Sequence, residues 1–573
     1  MQTIQEILSA LVRSAFAAAF PGADLSALNL GVLPAADESF GDYQCNGAMA
    51  ASKSLRLPPR VLAEKAVAQM PLDGLVAKAE IAGPGFINLT ISDAALARHL
   101  EAVQADALLG IPQPGAGRKL ILDYSSPNVA KPMHVAHIRS TVIGDALKRI
   151  HRALGYEVLG DNHLGDWGTQ FGILIMGYRA FLDPAALEAS PVDELQRVYV
   201  LSHQKCEEDP AWKDQARAEL VKLQAGDPEN RALWQKFIDL SMAEFSRIYA
   251  RLGVSFELVR GESFYNDALP GVVEKLQRLG LVRESEGALV AFLDDEKLPP
   301  CIVRKSDGGF NYATTDLATV FSRESEFHPD GIIYVTDERQ QLHFRQFFAL
   351  AKKAGATTQL RHIWFGLMRL PEGLLSTRKG TAIKLDLLLD ESEKRALELV
   401  QKASPEMPAD QQQAVARAVG IGAVKYADLS QNPQSAVSFT WEKALAMDGN
   451  SAPYLQYAYA RIASVIDKHA ERFPECDWRR EPLVLDSPFA RRLAVRVARY
   501  ADAVRDAADQ EKPSLLADAL YDLSQAYSSF YQNVPFLKAE AGLRESRVRL
   551  CDLVAKVLRH GLSLLGIDTP DRI

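Results

Sequence analysis

From residue 119 onward, short apolar runs alternate with amphipathic helical stretches. The strand-like runs LILDY, YEVLGDNH, GIIYVTD and HIWFGLM each precede a helical or loop segment, and this alternation is typical of a parallel α/β sheet. After residue 405 the apolar positions follow helical spacing only, which predicts an all-α C-terminal bundle. The segment before the Gly/Pro-rich stretch at 110–117 mixes both patterns and predicts a small α+β domain.

These changes of pattern predict three domains. Residues 1–112 form the α+β domain, residues 113–405 form the α/β domain with the parallel sheet, and residues 406–573 form the helical bundle. Long charged helical stretches near 190–260 interrupt the alternation, and they predict a helical insertion within the α/β domain. A chain of 573 residues is long enough for several domains of ordinary size.

Composition excludes several classes of function. The formal net charge of -8 provides no global basic field, so any contact with nucleic acid has to be local. No run approaches the roughly 18 consecutive apolar residues that a membrane span needs, so we expect a cytoplasmic protein without membrane contact. The five cysteines are far apart and never form a C-x-x-C pair, which predicts reduced thiols, no zinc and no other protein-held metal.

The strongest chemical signal lies in residues 123–145, where a strand runs into a turn and then into a helix. His134 and His137 are three residues apart at the predicted start of that helix, so both rings can point the same way. A helix N-terminus attracts anions, and two imidazoles there can donate hydrogen bonds to a polyphosphate. Taken alone, however, an H-x-x-H pair at a helix start is more often a cap or a pair of core residues.

The full pattern S-P-N-x-A-K-x-M-H-x-x-H-x-R-S-T resembles the HIGH signature of class I aminoacyl-tRNA synthetases, in the form carried by arginyl-tRNA synthetases. The resemblance continues at 162–172, 312–318, 337–344 and 449–461, in the order of the family. It implies a Rossmann-like class I catalytic domain, an N-terminal tRNA-contact domain and a helical anticodon-binding domain. The implied activity is ATP-dependent attachment of L-arginine to tRNA(Arg) through an arginyl-adenylate.

The second signature of the class, a K-M-S-K-S loop, matches LLSTRK at 374–379, where Leu374 and Thr377 replace the two lysines. The resemblance assigns the missing charge to Lys131, although a solvated basic turn is the alternative for Lys379. The implied catalytic residues are His134, His137, Lys131, Ser376, Arg378 and Lys379. The implied ATP-binding residues are His134, Ala136, His137 and Thr377, with Ala136 in place of the family's glycine.

Selection of arginine calls for carboxylates and neutral acceptors, because a guanidinium is planar and always charged. Tyr312 and Asp316 are four apart and share a face if that segment is helical, and the family uses this pair to hold the guanidinium. A carboxylate at Asp316 argues against a class I synthetase for an acidic or apolar amino acid. The remaining arginine-binding residues implied by the resemblance are Asp123, Ser126, Asn128, His137 and Gln340.

Two regions are expected to contact tRNA. The residues implied by the resemblance are Phe86 and Asn88 in the N-terminal domain, and Tyr454, Gln456, Tyr457 and Arg461 in the helical bundle. Aromatic rings suit stacking on unpaired bases, although Phe86 could equally be a core residue. Arg492, Arg496 and Arg499 follow helical spacing and predict either a basic stripe or a solvated helix face.

The resemblance implies tRNA(Arg), L-arginine and ATP as substrates, Mg²⁺ bound with the ATP phosphates, and a monomeric enzyme. The rival hypothesis is a synthetase-derived RNA-binding protein that has lost its activity. The missing loop lysines and Ala136 would suit that rival. The intact His134, His137 and Lys131 argue against it.

Overall fold

The computed structural model describes residues 1–72, 74–370 and 383–573. They form two compact units, one made of Met1–Pro114 and Ala446–Ile573 and the other of Gly115–Leu445. Within the described ranges, no helix combines the length and the apolar character that a membrane crossing requires.

The N-terminal part of the first unit is an antiparallel sheet with four helices. A capping box starts the first helix, since the Thr3 N–H donates to Glu6 Oε2 at 3.0 Å and the Glu6 N–H donates to Thr3 Oγ1 at 3.2 Å. The elements are α1 Ile4–Ala19, β1 Val32–Pro34, β2 Tyr43–Cys45, α2 Gly47–Leu55, α3 Pro59–Ala68, β3 Val76–Ala82, β4 Phe86–Ile91 and α4 Asp93–Ala105. The sheet order is β1-β2-β4-β3.

The second unit is built on a five-stranded parallel sheet. The strands of this unit are β5 Lys119–Asp123, β6 Glu157–Asn162, β7 Leu258–Val259, β8 Arg283–Ser285, β9 Ala288–Leu293, β10 Leu298–Arg304, β11 Gly331–Asp337, β12 Gln359–Phe365, β13 Met368–Arg369 and β14 Val437–Ser438. Of these, β10-β9-β8 and β13-β14 form two smaller sheets. The parallel sheet has the order β12-β11-β5-β6-β7. Ile121, Ile332 and Ile333 are fully buried, because helices cover both faces of such a sheet.

The helices of the second unit include a helical segment between β6 and β7, in the region of the predicted insertion. The helices are α5 Val135–Ala153, α6 Gln170–Phe181, α7 Pro184–Ala189, α8 Pro191–Glu208, α9 Pro210–Gln224, α10 Pro228–Leu252, α11 Leu269–Arg278, α12 Tyr312–Phe327, α13 Gln341–Lys353, α14 Leu385–Ala403, α15 Ala409–Leu429 and α16 Trp441–Ala444. The predicted boundary at 405 falls between α14 and α15, which pack against each other inside this unit, where Ser392 Oγ donates to Gly420 O at 2.8 Å.

The C-terminal part of the first unit is helical throughout. Its helices are α17 Ala452–Arg472, α18 Pro488–Ala498, α19 Tyr500–Asp509, α20 Pro513–Asn533 and α21 Leu543–Leu564. Ion pairs join it to the N-terminal part, since Arg491 lies 2.7 Å from Asp42 and 2.8 Å from Asp93. The α/β, α+β and all-α architectures confirm the predicted fold class.

Candidate functional site

The carboxyl ends of β5, β6 and β11 form the sheet edge at which open α/β folds bind ligands. In the sheet, β5 lies between β11 and β6. The connection after β5 leads to β6 on one side of it, and β11 on the other side is reached later in the chain. The two connections run in opposite directions from β5, which opens a crevice at its carboxyl end. Residues 124–134 connect this edge to the start of α5.

His134 and His137 lie together at the N-terminus of α5. Their ring centroids are 3.9 Å apart, and the His134 backbone N–H donates to His137 Nδ1 at 3.0 Å. Burial, with a smaller contribution from His134, lowers the pKa of His137 to about 3, and burial with the Lys131 ammonium lowers the pKa of His134. Because neutral His137 accepts at Nδ1, its proton lies on Nε2. That N–H can donate to a phosphate oxygen at the positive end of the helix.

Ala136 lies between the two histidines in the sequence and Lys131 lies three residues before His134, and both are exposed. Ala136 lies in the first turn of α5 and is not among the residues with positive φ, so its methyl group adds no backbone strain. Lys131 Nζ lies 5.5 Å from the ring centroid of Tyr199 in α8, a weak contact for an exposed ammonium. In the described part of the chain Lys131 has no carboxylate partner, which leaves its charge available for a phosphate.

The predicted loop residues Leu374, Ser376, Thr377, Arg378 and Lys379 lie outside the described residues. The chain that follows them pairs with the backbone at the start of α5. The Val135 N–H donates to Ile383 O at 3.0 Å, and the Leu385 N–H donates to Met133 O at 2.9 Å. These two bonds place residues 383–385 beside the histidine pair.

Tyr312 and Asp316 lie in the first two turns of α12, so the segment is helical as their spacing requires. Tyr312 is 69% exposed, whereas the Asp316 side chain is 24% exposed. His343 Nε2 donates to Asp316 Oδ2 at 2.5 Å, which leaves Oδ1 for a ligand. Gln340 is exposed at the N-terminus of α13, three residues before His343.

Glu262 is near Asp316, and the sequence analysis did not single it out. It begins a 3-10 turn after β7, and its carboxylate makes no hydrogen bond or ion pair with the described residues. Burial, followed by the Asp316 and Asp166 carboxylates, raises the pKa of Glu262 to about 8. Carboxylates without a matching cation favour a cationic ligand. Glu262 belongs to none of the motifs recognised in the sequence, so only the packing beside Asp316 reveals it.

Asp123, Ser126 and Asn128 lie at the end of β5 and in the loop after it. The Asp123 carboxylate accepts from Arg323 Nη2 at 2.6 Å and from Ser126 Oγ at 3.2 Å. Arg323 is completely buried and also bonds Asp161 at 2.8 Å. Asp123 therefore already bonds a protein guanidinium, and its predicted contact with the arginine side chain stays a prediction. Asn128 is exposed.

In the first unit, the two N-terminal residues predicted to contact tRNA differ in their exposure to solvent. Phe86 is half-buried at the first position of β4. Asn88 is buried, and its Oδ1 accepts from Gln44 Nε2 of β2 at 2.8 Å. The Asn88 side chain is therefore already used within the sheet, and its predicted contact with tRNA stays a prediction.

The helix α17 presents some of the predicted tRNA contacts and buries another. Gln456 is fully buried and its Nε2 donates to Asp568 O at 2.7 Å, which is at odds with a predicted tRNA contact. Tyr454 is half-buried and bonds Ser528 Oγ at 3.1 Å.

The exposed part of α17 carries Tyr457 and Arg461. Tyr457 is 37% exposed, and the Arg461 guanidinium lies 4.7 Å from its ring centroid. The same guanidinium lies 5.1 Å from the ring of Tyr531 in α20. The sequence analysis missed Tyr531, because only the packing of α20 on α17 brings it there.

Arg492, Arg496 and Arg499 form no free basic stripe, because all three contact the N-terminal part of the unit, although the Arg492 side chain stays 48% exposed. Arg492 lies 2.8 Å from Glu38, and Arg496 lies 3.3 Å from the same carboxylate. Arg499 packs over the ring of Tyr43, 5.2 Å from its centroid. These arginines bind the N-terminal part of the unit, whose acidic residues are more than 400 positions away in the sequence.

Three family models cover most of the chain. The model of the catalytic domain of class I (R) tRNA synthetases matches residues 100–441. The model of the arginyl tRNA synthetase N-terminal domain matches residues 2–91, and the model of the DALR anticodon binding domain matches residues 455–573.

Curated relatives and solved structures agree with these models. The arginine–tRNA ligase of Fusobacterium nucleatum is 44% identical over 96% of both chains, and that of Azotobacter vinelandii is 45% identical over 94% of both. The arginyl-tRNA synthetase structures from Plasmodium falciparum and Thermus thermophilus superpose with TM-scores of 0.85 and 0.84, at 26% identity and over 100% of both chains. With a catalytic-domain model spanning more than half of its length and such relatives along nearly all of it, this chain belongs to the arginyl-tRNA synthetase family.

Proposed function

We propose that this protein attaches L-arginine to tRNA(Arg) in two steps that consume ATP. In the first step the arginine carboxylate attacks the α-phosphorus of ATP, forming arginyl-adenylate and displacing pyrophosphate. In the second step a terminal ribose hydroxyl of the tRNA attacks the arginyl carbonyl and AMP leaves. No side chain has to form a covalent intermediate, so the protein acts by positioning the reactants and stabilising charge.

The neutral imidazole pair at the N-terminus of α5 carries this proposal. His137 keeps its proton on Nε2 because Nδ1 accepts the His134 N–H at 3.0 Å, so it donates to the α-phosphate region without titrating near pH 7. The helix N-terminus adds its free N–H groups to the same anion. Lys131 supplies the positive charge that the two missing loop lysines would otherwise bring to the pyrophosphate.

Recognition of arginine is assigned to the carboxylates around Asp316. His343 occupies Oδ2 of Asp316 at 2.5 Å, so Oδ1 is the oxygen offered to the guanidinium. Glu262, whose pKa is raised to about 8 by burial and by the neighbouring carboxylates, ionises when a cation binds beside it. An acidic side chain is rejected, because it would place a second negative charge beside Asp316 and bring no cation to stabilise it or ionised Glu262.

Contact with tRNA is assigned to Tyr457 and Arg461 in the helical part of the first unit. The exposed ring of Tyr457 can stack on an unpaired base, and Arg461 can reach a phosphate. Phe86 at the start of β4 is the corresponding proposal in the N-terminal part.

Mg²⁺ is proposed to arrive with ATP. In the described ranges no group of three His, Cys, Asp or Glu side chains is arranged to hold a metal ion, so those residues do not fit a protein-held site. An ion that keeps its own waters binds through the nucleotide phosphates instead. We also propose a monomeric enzyme that acts in the cytoplasm, and sedimentation at micromolar concentration tests the first of these.

Arginine-dependent exchange of pyrophosphate into ATP tests the function. The assay compares arginine with lysine and glutamate, each with and without tRNA(Arg), in the wild type, in Asp316→Asn and in Asp214→Asn. Asp214 is a matched control, since its side chain is 73% exposed on α9. We expect exchange with arginine only, lost in Asp316→Asn and kept in Asp214→Asn. Folded wild-type protein that binds tRNA but exchanges nothing would favour the inactive RNA-binding alternative.

A further inference from the structure

The loop between β5 and α5 is strained. Ser125, Ser126 and Ala130 have φ values of +72°, +47° and +62°, a region that residues with a Cβ rarely adopt. Such a backbone persists only where its surroundings hold it. The same loop carries Lys131, to which the proposed function assigns the pyrophosphate, and Ser126 and Asn128, which the resemblance implies for arginine binding, so its shape decides where these groups point.

Side chains from the neighbouring elements hold the backbone of this loop. The Ser125 N–H donates to Ser140 Oγ of α5 at 2.8 Å. The Ser126 N–H donates to Asn162 Oδ1, at the end of β6, at 3.1 Å. The Ala130 N–H donates to Ser241 Oγ of α10 at 2.9 Å, so all three strained residues depend on groups outside the loop.

A second set of bonds runs through Tyr249 of α10. Its hydroxyl lies 2.8 Å from Ser125 Oγ and accepts from Asn162 Nδ2 at 3.1 Å. Ser125 Oγ also lies 2.8 Å from Thr141 Oγ1, and Thr141 Oγ1 donates to His137 O at 2.7 Å.

The direction of every bond in this chain is forced, since each hydroxyl has one proton. The Thr141 hydroxyl donates its proton to the His137 carbonyl, so it must accept a hydrogen bond from Ser125. Ser125 must then accept from Tyr249, and Tyr249 accepts from Asn162. The series of hydrogen bonds therefore runs in one direction, from Asn162 at the end of β6, through Tyr249 of α10, to the backbone of His137.

We infer that Tyr249 is a positioning residue for adenylation, because its hydroxyl joins Asn162 to Ser125 Oγ of the strained loop, from which the hydrogen bonds continue through Thr141 to the His137 backbone. The inference rests on the proposed function, which places the substrates at this loop. Tyr249 is buried, and burial raises its pKa to about 12, so its proton is present throughout the working pH range.

The test uses Tyr249→Phe, which keeps the ring and removes only the hydroxyl. The matched control is Tyr178→Phe, whose hydroxyl accepts from Lys236 of the same helix α10 at 2.7 Å and takes no part in this chain. We expect kcat/KM for arginine in pyrophosphate exchange, per active site, to fall about tenfold in Tyr249→Phe. The KM for tRNA should match that of Tyr178→Phe. The thermal midpoint of Tyr249→Phe should fall, because the buried Asn162 Nδ2 loses its acceptor, so the rate per active site is the readout that a merely structural role would leave unchanged.

Two further readouts keep the inference testable. The double variant Ser125→Ala with Tyr249→Phe should have a kcat/KM for arginine no lower than that of the more damaging single variant, because both substitutions break the same series of hydrogen bonds. Amide hydrogen exchange of residues 124–134 in the substrate-free enzyme should be faster in Tyr249→Phe than in Tyr178→Phe.

The outcomes separate this inference from the proposed function. An inactive wild type would refute the function, while the hydrogen-exchange comparison still decides whether Tyr249 holds residues 124–134 in place. If the wild type is active, and Tyr249→Phe equals Tyr178→Phe both in kcat/KM and in amide hydrogen exchange, the inference is overturned.

Discussion

Replacing Arg139 by methionine should destabilise the catalytic unit strongly. Arg139 lies on α5, two residues after His137, and its Nη2 lies 2.9 Å from Asp428 of α15, with the two side chains 1% and 0% exposed. Its Nη1 also donates to Gly366 O at 2.6 Å, and its Nη2 donates to Pro433 O at 3.2 Å. Methionine is apolar and similarly long, so the substitution mainly removes donors and charge.

The magnitude follows from what the substitution leaves behind. Asp428 would be a buried carboxylate without its cation, and removing one partner of a buried ion pair costs about 3–5 kcal/mol. Burial raises the pKa of Asp428 and Arg139 opposes that rise, so without Arg139 the carboxyl should take up a proton at higher pH. A protonated Asp428 is cheaper to bury, and the loss should therefore be smaller at pH 5 than at pH 8.

Urea unfolding followed by near-ultraviolet circular dichroism measures this loss. The double variant Arg139→Met with Asp428→Asn removes both charges and should recover part of the stability, while the unbonded carbonyls keep it below the wild type. A loss under about 1 kcal/mol, or a double variant no more stable than Arg139→Met, would refute the reasoning.

Three other predictions concern pH and RNA. Because burial and neighbouring carboxylates raise the pKa of Glu262 to about 8, the KM for arginine should fall as the pH rises from 7 to 9, and Glu262→Gln should flatten that dependence. Because burial lowers the pKa values of His137 and His151 to about 3, thermal stability should fall as the pH drops below about 6.5, where unfolded histidines take up protons. Tyr457→Ala should weaken tRNA binding by about 1–3 kcal/mol in filter binding, if its ring stacks on a base.

Each of these has an outcome that would contradict it. A wild-type KM for arginine that stays constant between pH 7 and 9 would remove Glu262 from the pocket. Melting temperatures unchanged between pH 7 and 5 would mean that the two histidines are solvated. Tyr457→Phe keeps the aromatic face, so a loss of binding as large as that of Tyr457→Ala would argue against stacking.

The sequence alone determined the fold class, the family and the position of the histidine pair. The alternation of apolar runs with helices predicts a parallel sheet, since a buried strand and an amphipathic helix differ in local periodicity. The spacing of His134 and His137 places them at one end of a helix. The four-residue spacing of Tyr312 and Asp316 places them on one helix face, because α12 begins at Tyr312. Each of these is a short-range property that neighbouring residues specify.

Only the tertiary structure decided which polar side chains are already hydrogen-bonded or ion-paired within the protein. Asn88 and Gln456 are buried in hydrogen bonds to residues distant in sequence, and Arg492 pairs with Glu38 across the fold. Glu262 and Tyr249 gain their proposed roles from partners on other elements, among them Asp316 and Ser125. A sequence pattern specifies which face a side chain occupies, but burial and pairing depend on which segments the fold brings together, and that information lies in contacts between distant residues.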